Sequence, residues 1–345
     1  MAWEFEMVAG PFNPRLTEGP AWDGQALLFT HIPASRMLCY DPQTGACTVF
    51  REHTNHTNGL AFDAEGRLYG CCSGGRSIVR FEADGTTTTI VDRLDGVPLN
   101  TPNDLAIDRQ GRIWLSNPWN AINIDPSERQ VLDHNAILRA DPQPDGTWTC
   151  RRMTYDTTGT NGLLLSPDEK TLYIIQTSPE LRELRAYDIL ADGALGRYTV
   201  LHQFGEDSRG PQRGIDGMCF DAEGNIVATA GSYASGPGPM IYIWDPQGRV
   251  LETHPMPVGV DSPTNCTFGD PDQRTLYITT LGGHLFRVRN TGRRGWIIWP
   301  PVRSISPHAV GTWYGSDVRQ KIPPFPPWQR EARGDVAVGY VCESV

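Results

Sequence analysis

Asn58-Gly-Leu-Ala-Phe62-Asp-Ala-Glu-Gly-Arg-Leu-Tyr69 is the stretch whose reading decides the fold. A polar residue and a small one precede an apolar run. An Asp and a Gly-containing turn follow, and then a second apolar run. Asp and Gly side by side supply tight-turn chemistry, so the phrase predicts two short antiparallel strands joined by a turn.

The phrase recurs. Glu18-Gly-Pro-Ala-Trp22-Asp-Gly stands before it in the chain. After it come Asn103-Asp-Leu-Ala-Ile107-Asp-Arg-Gln-Gly, Asn161-Gly-Leu-Leu-Leu165-Ser-Pro-Asp and Asp216-Gly-Met-Cys-Phe220-Asp-Ala-Glu-Gly. A looser sixth copy is Thr264-Asn265-Cys-Thr-Phe268-Gly-Asp-Pro. Third strands follow most copies, as in Met37-Leu-Cys-Tyr40, Ser77-Ile-Val-Arg-Phe81 and Met240-Ile-Tyr-Ile-Trp244, and several copies show a fourth. Copies begin 40 to 58 residues apart. Four strands per unit at this period predict an all-β, six-bladed β-propeller, closed so that no sheet edge is left free. Residues 3–9 alternate well enough to be a strand, and the reading has them complete the last blade. The propeller domain is placed at 1–290. A Pro-rich C-terminal extension, 291–345, is expected to pack on it, either along the ring's outside or as a cover over a pocket mouth. Pro at that density prevents regular pairing.

Composition narrows the function. The 345 residues include 36 Gly and 28 Pro, and 40 acidic against 30 basic residues leave a net charge of −10. That surface suits neither nucleic acid nor an anionic membrane. No apolar run reaches the roughly 20 residues of a membrane helix, and the N-terminus lacks the pattern of a secretory signal. Eight cysteines with no zinc-type spacing read as reduced thiols. The expectation is therefore a soluble cytoplasmic protein, a monomer or small homo-oligomer.

In a propeller the first strand of each blade lines the channel, so equivalent positions of successive repeats face one another. Four residues before each apolar anchor stand Glu18, Asn58, Asn103, Asn161, Asp216 and Thr264, with Asn265 beside the last. Five of the six are carboxylate or carboxamide. Convergent oxygens of this kind suit one hard divalent cation: Ca2+ first, then Mg2+ or Mn2+. Zn2+ stands last, because the set holds neither His nor Cys.

The chain resembles the gluconolactonase/regucalcin (senescence marker protein) family through Glu18-Gly-Pro, Thr101-Pro-Asn103-Asp104-Leu, Asn161-Gly-Leu with Ser166-Pro-Asp-Glu-Lys-Thr-Leu-Tyr, and Asp216-Gly. The resemblance runs over roughly residues 15–290. It implies a metal-dependent hydrolase that opens a small-molecule lactone, a sugar lactone or related cyclic ester. It implies Glu18, Asn161 and Asp216 as metal ligands, Asn103 as a further ligand or a substrate contact, and Asn58 near the substrate. Regucalcin-type members carry Arg two residues before the channel Asn, where this chain has Thr101. The chemistry implied is carbonyl polarisation by the ion and activation of water by a carboxylate, Asp216 first and Glu18 second. Loops at the mouth supply the substrate-binding candidates Thr101, His56, Trp119, Arg213 and Tyr233, with His53 and Arg209 beside them. Two alternatives remain at this stage: a phosphotriesterase or aryl-esterase-like hydrolase in the same cup, and a non-catalytic ligand-binding propeller.

Overall fold

The computed structural model describes residues 2–121, 125–178 and 180–299. Over that span the chain is a six-bladed β-propeller. Five sheets have four strands and one has five. The inner strands are Glu18–Trp22, Thr57–Phe62, Leu105–Ile107, Thr160–Leu165, Ile215–Asp221 and Pro263–Gly269, in blades 1 to 6. Each pairs antiparallel with the strand after its turn, as the repeat requires.

The ring closes as expected. Phe5–Ala9 is the outermost strand of blade 6, with Phe5 opposite Val288 and Met7 opposite Phe286. Glu6 grips Arg287 through both carboxylate oxygens at 2.7 Å, and Arg287 also donates to the Tyr40 hydroxyl at 2.8 Å. The first strand thus ties blade 6 to blade 1.

A four-stranded blade cannot bury both faces alone, so the core lies between blades. Six apolar clusters fill the six interfaces. Leu28 and Met37 of blade 1 meet Leu60 and Val79 of blade 2. Leu115 and Leu138 of blade 3 meet Ile78 of blade 2. Trp22 and Phe29 of blade 1 meet Tyr277 and Leu285 of blade 6. Burying such side chains is worth roughly 1.5–3 kcal/mol each, and the repeated anchors Trp22, Ile107, Leu165, Phe220 and Phe268 are all buried.

At the lower end of the inner strands, the turn acids are satisfied locally. Asp63 accepts from the Glu65 and Arg67 amides, and Asp108 from those of Gln110 and Arg112. Asp221 accepts from the Glu223 and Asn225 amides. They hold the turns and play no part at the channel's other end.

Residues 291–299 pack on the propeller by neither expected course. Gly295–Trp296 pairs with the inner strand of blade 5, Trp296 opposite Phe220, at the end opposite Asp216. The segment therefore crosses the bottom of the channel, neither following the outside nor covering the mouth. The rest of the expected extension, 300–345, lies outside the described residues. So do residues 122–124 of the loop 116–135.

Candidate active site in the channel mouth

Local backbone geometry aims the polar residues inward. In five blades the pairing between inner and second strand slips at the start of the inner strand: Glu18/Ala21, Thr57/Leu60, Thr160/Leu163, Ile215/Met218 and Pro263/Cys266. A bulge of this kind re-aims a side chain. The glycine after the polar residue has its own reason. A Cβ on Gly19 would lie 2.3 Å from the Asn58 carbonyl, and one on Gly162 2.6 Å from the Asp216 carbonyl. Adjacent inner strands approach so closely here that no side chain fits.

Two repeats depart from that glycine, with Asp104 in blade 3 and Asn265 in blade 6. Both fill the space a neighbouring glycine leaves. A Cβ on Gly59 would meet Asp104 Oδ1 at 2.5 Å, and one on Gly217 would meet Asn265 Cγ at 2.1 Å. The Asn265 side chain lies against the carboxyls of both Glu18 and Asp104 and favours the ionised form of each. Its Oδ1 accepts from the Cys266 amide at 2.8 Å. Thr264 is turned away, its hydroxyl donating to the Thr17 carbonyl at 2.7 Å. The sequence pattern did not single out Asp104, or Asn265 as its neighbour, although the lapse of glycine at that register was their signal.

Glu18, Asn161 and Asp216 come together with Asp104, Asn265 and Arg213. Asn161 Nδ2 donates to Asp216 Oδ1 at 2.7 Å. Arg213 pairs with Asp216 Oδ2 and donates to the carbonyls of Gly231 (3.4 Å) and Pro263 (3.1 Å). Glu18, only 7% exposed, accepts from the Gly19 amide at 2.8 Å. Asn58 and Asn103 stand half-buried at the tops of blades 2 and 3, and the Gly59 amide donates to the Asn103 carbonyl at 2.8 Å.

Electrostatics mark the same place. Burial pushes the Glu18 carboxyl well above the usual carboxylate range, and the charges of Asp216 and Asp104 add to it. Burial lifts Asp104 to about 7, with Asp216 contributing. Burial raises Asp216 too, against the opposing pull of Arg213 and Asn161. One buried and two half-buried carboxyls with one guanidinium among them lack positive charge, and two carboxylates plus an amide oxygen suit a hard cation. The residues present fit a divalent ion. Among the described residues no three His, Cys, Asp or Glu side chains cluster as a metal cage. Asn161 would therefore be needed to complete a ligand set.

The loop candidates are placed less directly. Thr101 is buried and its hydroxyl is spent on the loop, donating to the Pro118 carbonyl at 2.7 Å and accepting from the Asn120 amide at 2.8 Å. Trp119 lies half-buried with the Arg76 guanidinium 5.3 Å from its ring. His56 Nδ1 is 2.9 Å from the Ile32 carbonyl. Tyr233 is 47% exposed, its hydroxyl accepting from the Gly259 amide at 3.1 Å. Arg213 faces Asp216, and Arg209 pairs with Asp207 at 2.7 Å. His53 is exposed, in the loop before blade 2. No helix among the described residues is long and apolar enough to cross a membrane.

Comparison with known proteins gives a consistent picture. Residues 16–282 match the family described as SMP-30/Gluconolactonase/LRE-like region. A gluconolactonase of Zymomonas mobilis is 29% identical over 295 residues, covering 79% of this chain and 78% of that protein. A pentonolactonase of Haloferax volcanii is 29% identical over 281 residues, covering 78% and 82%. Among solved structures, a gluconolactonase of Xanthomonas campestris superposes with a TM-score of 0.69 at 32% identity, covering 83% of this chain and 89% of that one.

Proposed function

We propose, for a chain that belongs to the SMP-30/gluconolactonase/LRE-like family, that it is a lactonase opening a sugar lactone or related cyclic ester with one divalent cation, Ca2+ first, held by Glu18, Asn161 and Asp216. The observation that carries the reading is the convergence of two carboxylates and a carboxamide, buried Glu18 with half-buried Asp216 and Asn161, at one end of the channel. The lactonase relatives support the reaction class.

When bound, the cation polarises the lactone carbonyl and offsets the charge that develops on its oxygen. The chain's residues do the rest. Asp216 takes a proton from the attacking water as water oxygen bonds to the carbonyl carbon. The ring C–O bond then breaks, the ring oxygen takes up that proton, and a hydroxy acid results. Arg213 and Asn161 hold the two Asp216 oxygens, so the base keeps one orientation throughout. Asn265, beside both Glu18 and Asp104, favours their ionised forms. Asn58 and Asn103, half-buried at the tops of blades 2 and 3, would meet the substrate hydroxyls. Trp119, His56, Tyr233 and the loop held by Thr101 form the rim. The seven described cysteines are all free thiols, which suits a cytoplasmic setting.

The test is a panel of glucono- and pentonolactones, an aryl ester and a phosphotriester. Each is assayed by acid release after chelation and after return of Ca2+, Mg2+, Mn2+ or Zn2+. Lactone opening should vanish on chelation and return with metal. Turnover that survives chelation would remove the metal from the reaction. Turnover of the aryl ester or phosphotriester alone would move the chain to the other hydrolase class, and no turnover at all would leave a binding propeller.

A further inference from the structure

The inner edges of a propeller's first strands carry backbone groups that face the channel, and one segment of this chain uses them. Gly295–Trp296 adds a strand to the inner edge of blade 5, opposite Phe220 and Asp221. The Gly295 amide donates to the Gln273 carbonyl of blade 6 at 2.7 Å, and the Ala222 amide to the Arg294 carbonyl at 2.7 Å. Across the channel, Trp299 Nε1 donates to the Ile107 carbonyl of blade 3 at 3.0 Å. The Trp296 ring packs edge-on to Phe220, with centroids 6.0 Å apart. Arg293 anchors the approach, pairing with fully buried Asp221 at 2.5 Å and also with Glu252. Three blades are thus bridged at one end of the channel.

Above the bridge lies a cavity of about 160 Å³. Leu105, Leu163, Met218, Cys219 and Cys266 wall it, Asp104 and Asn265 reach it from the mouth side, and Trp296 to Trp299 close it below. The lower end of each inner strand is some four residues below its site residue, about 13 Å at ~3.3 Å per residue.

We propose that residues 291–299 are a built-in stopper that closes the channel end opposite Glu18 and Asp216, so that the cup has one entrance and the chamber beneath its carboxyls meets bulk water from the mouth side alone. The segment lies beyond the residues that match the family, and nothing in the reaction proposed above requires it. Closure keeps the surroundings of Asp104 and Glu18 poorly hydrated, and charges act more strongly across such a medium.

Just behind the chamber wall, in the core between blades 5 and 6, Cys219 and Cys266 with Sγ atoms 3.7 Å apart report on whether the docked segment holds that wall shut. Cys71, fully buried in the core between blades 2 and 3, is the internal control. In the full chain, Gly295→Val places a side chain where a Cβ would already meet Phe268 Cβ at 2.1 Å. Trp296→Ala/Trp299→Ala removes the two rings while leaving the backbone free to dock. Each variant is pulsed with N-ethylmaleimide, and labelling is read site by site by mass spectrometry. The stopper predicts that Cys219 and Cys266 gain at least about tenfold in rate relative to Cys71, since buried sites react through local opening. An equal gain at all three thiols, which marks general loosening, would overturn the proposal. So would no gain in either variant, or labelling of Cys219 and Cys266 in the unaltered protein as fast as that of half-buried Cys47.

Discussion

The two ends of the blade 3 inner strand carry acids that do opposite work. Asp108, at the lower end, is fully buried and fully served. It accepts from two amides of its own turn, pairs with Arg112 at 2.5 Å and accepts from Trp114 Nε1 at 3.0 Å. Asp104, four residues earlier, accepts from the Leu105 amide at 2.9 Å, with the Leu163 amide and the Asn265 side chain close by, and its carboxyl still rises to about 7 because burial costs more than these donors return. The same sheet geometry positions both. The difference lies in what surrounds them: a hairpin turn supplies donors below, whereas above, the neighbours are other carboxyls. The turn acid is surrounded by donors, whereas Glu18 and Asp104 at the mouth feel the charge of neighbouring carboxyls, a mark of functional sites.

The sharpest way to break this comparison is to remove one acid from each end. Asp216→Ala should lower kcat/KM at least about 10³-fold, the combined scale of a lost base and a lost ion ligand, with circular dichroism unchanged. Asp108→Ala should instead cost about 3–5 kcal/mol of stability by stranding Arg112 and the turn amides. Its activity per folded molecule should stay within about twofold. Urea unfolding and steady-state rates on both variants decide it. A large rate loss in Asp108→Ala would erase the division between the ends.

Titration sharpens the same contrast. Asp104 binds its proton more tightly in the folded chain than in the unfolded one, where a pKa of about 3.9 applies. Its stabilisation is therefore fully present below about pH 3.9 and is lost as pH rises through about 7. In chelator, stability should fall by roughly 4 kcal/mol across that window, and Glu18 shifts in the same direction. Asp104→Asn should flatten the slope. Saturating Ca2+ should oppose it, because the ion binds ionised carboxylates. Unfolding midpoints at pH 5 and pH 8, with and without Ca2+, measure this. A stability that climbs with pH in chelator would contradict it.

The repeat made the blades, their number and the closing strand legible, because each copy carries its own turn chemistry and apolar anchor. It also placed Glu18, Asn161 and Asp216 at one register. Asp104 and Asn265 are not legible from the polar register alone, because packing couples that register to the next one. Where four repeats hold glycine, these two side chains enter the gap. Thr264 shows the limit from the other side, since the register admits it but a bulge and the Thr17 carbonyl turn it away. The course of residues 291–299 had no local signal at all. It depends on free strand edges that exist only once the ring has closed. Loop candidates suffered similarly, because nothing in the order of residues tells that the Thr101 hydroxyl is consumed by the Pro118 carbonyl.

The glycines give a smaller, cleaner break. Gly217→Ala puts a Cβ 2.1 Å from Asn265 Cγ, so the amide beside Glu18 and Asp104 must move. A stability loss of about 1–3 kcal/mol is expected, with a fall in kcat. Gly205, with nothing within 4 Å of its Cβ position, should accept Ala to within about 0.5 kcal/mol. Thermal melts with rates on the pair test whether close approach at the channel top, rather than glycine content in general, sets the site.

The smallest effect belongs to the rim. The Tyr233 hydroxyl accepts from the Gly259 amide at 3.1 Å and lies 3.5 Å from the Pro257 carbonyl, tying the 231–239 loop to the one before blade 6. With the side chain 47% exposed, water can replace much of what Tyr233→Phe removes. The net value of such a bond is about 0.5–1.5 kcal/mol. The expected result is a KM increase of up to about tenfold at unchanged kcat and melting temperature, since loop placement would weaken substrate binding without touching the carboxylates. A drop in kcat of more than tenfold would instead bring Tyr233 into the chemistry. The line between mouth and channel would then have to be drawn further out than Arg213.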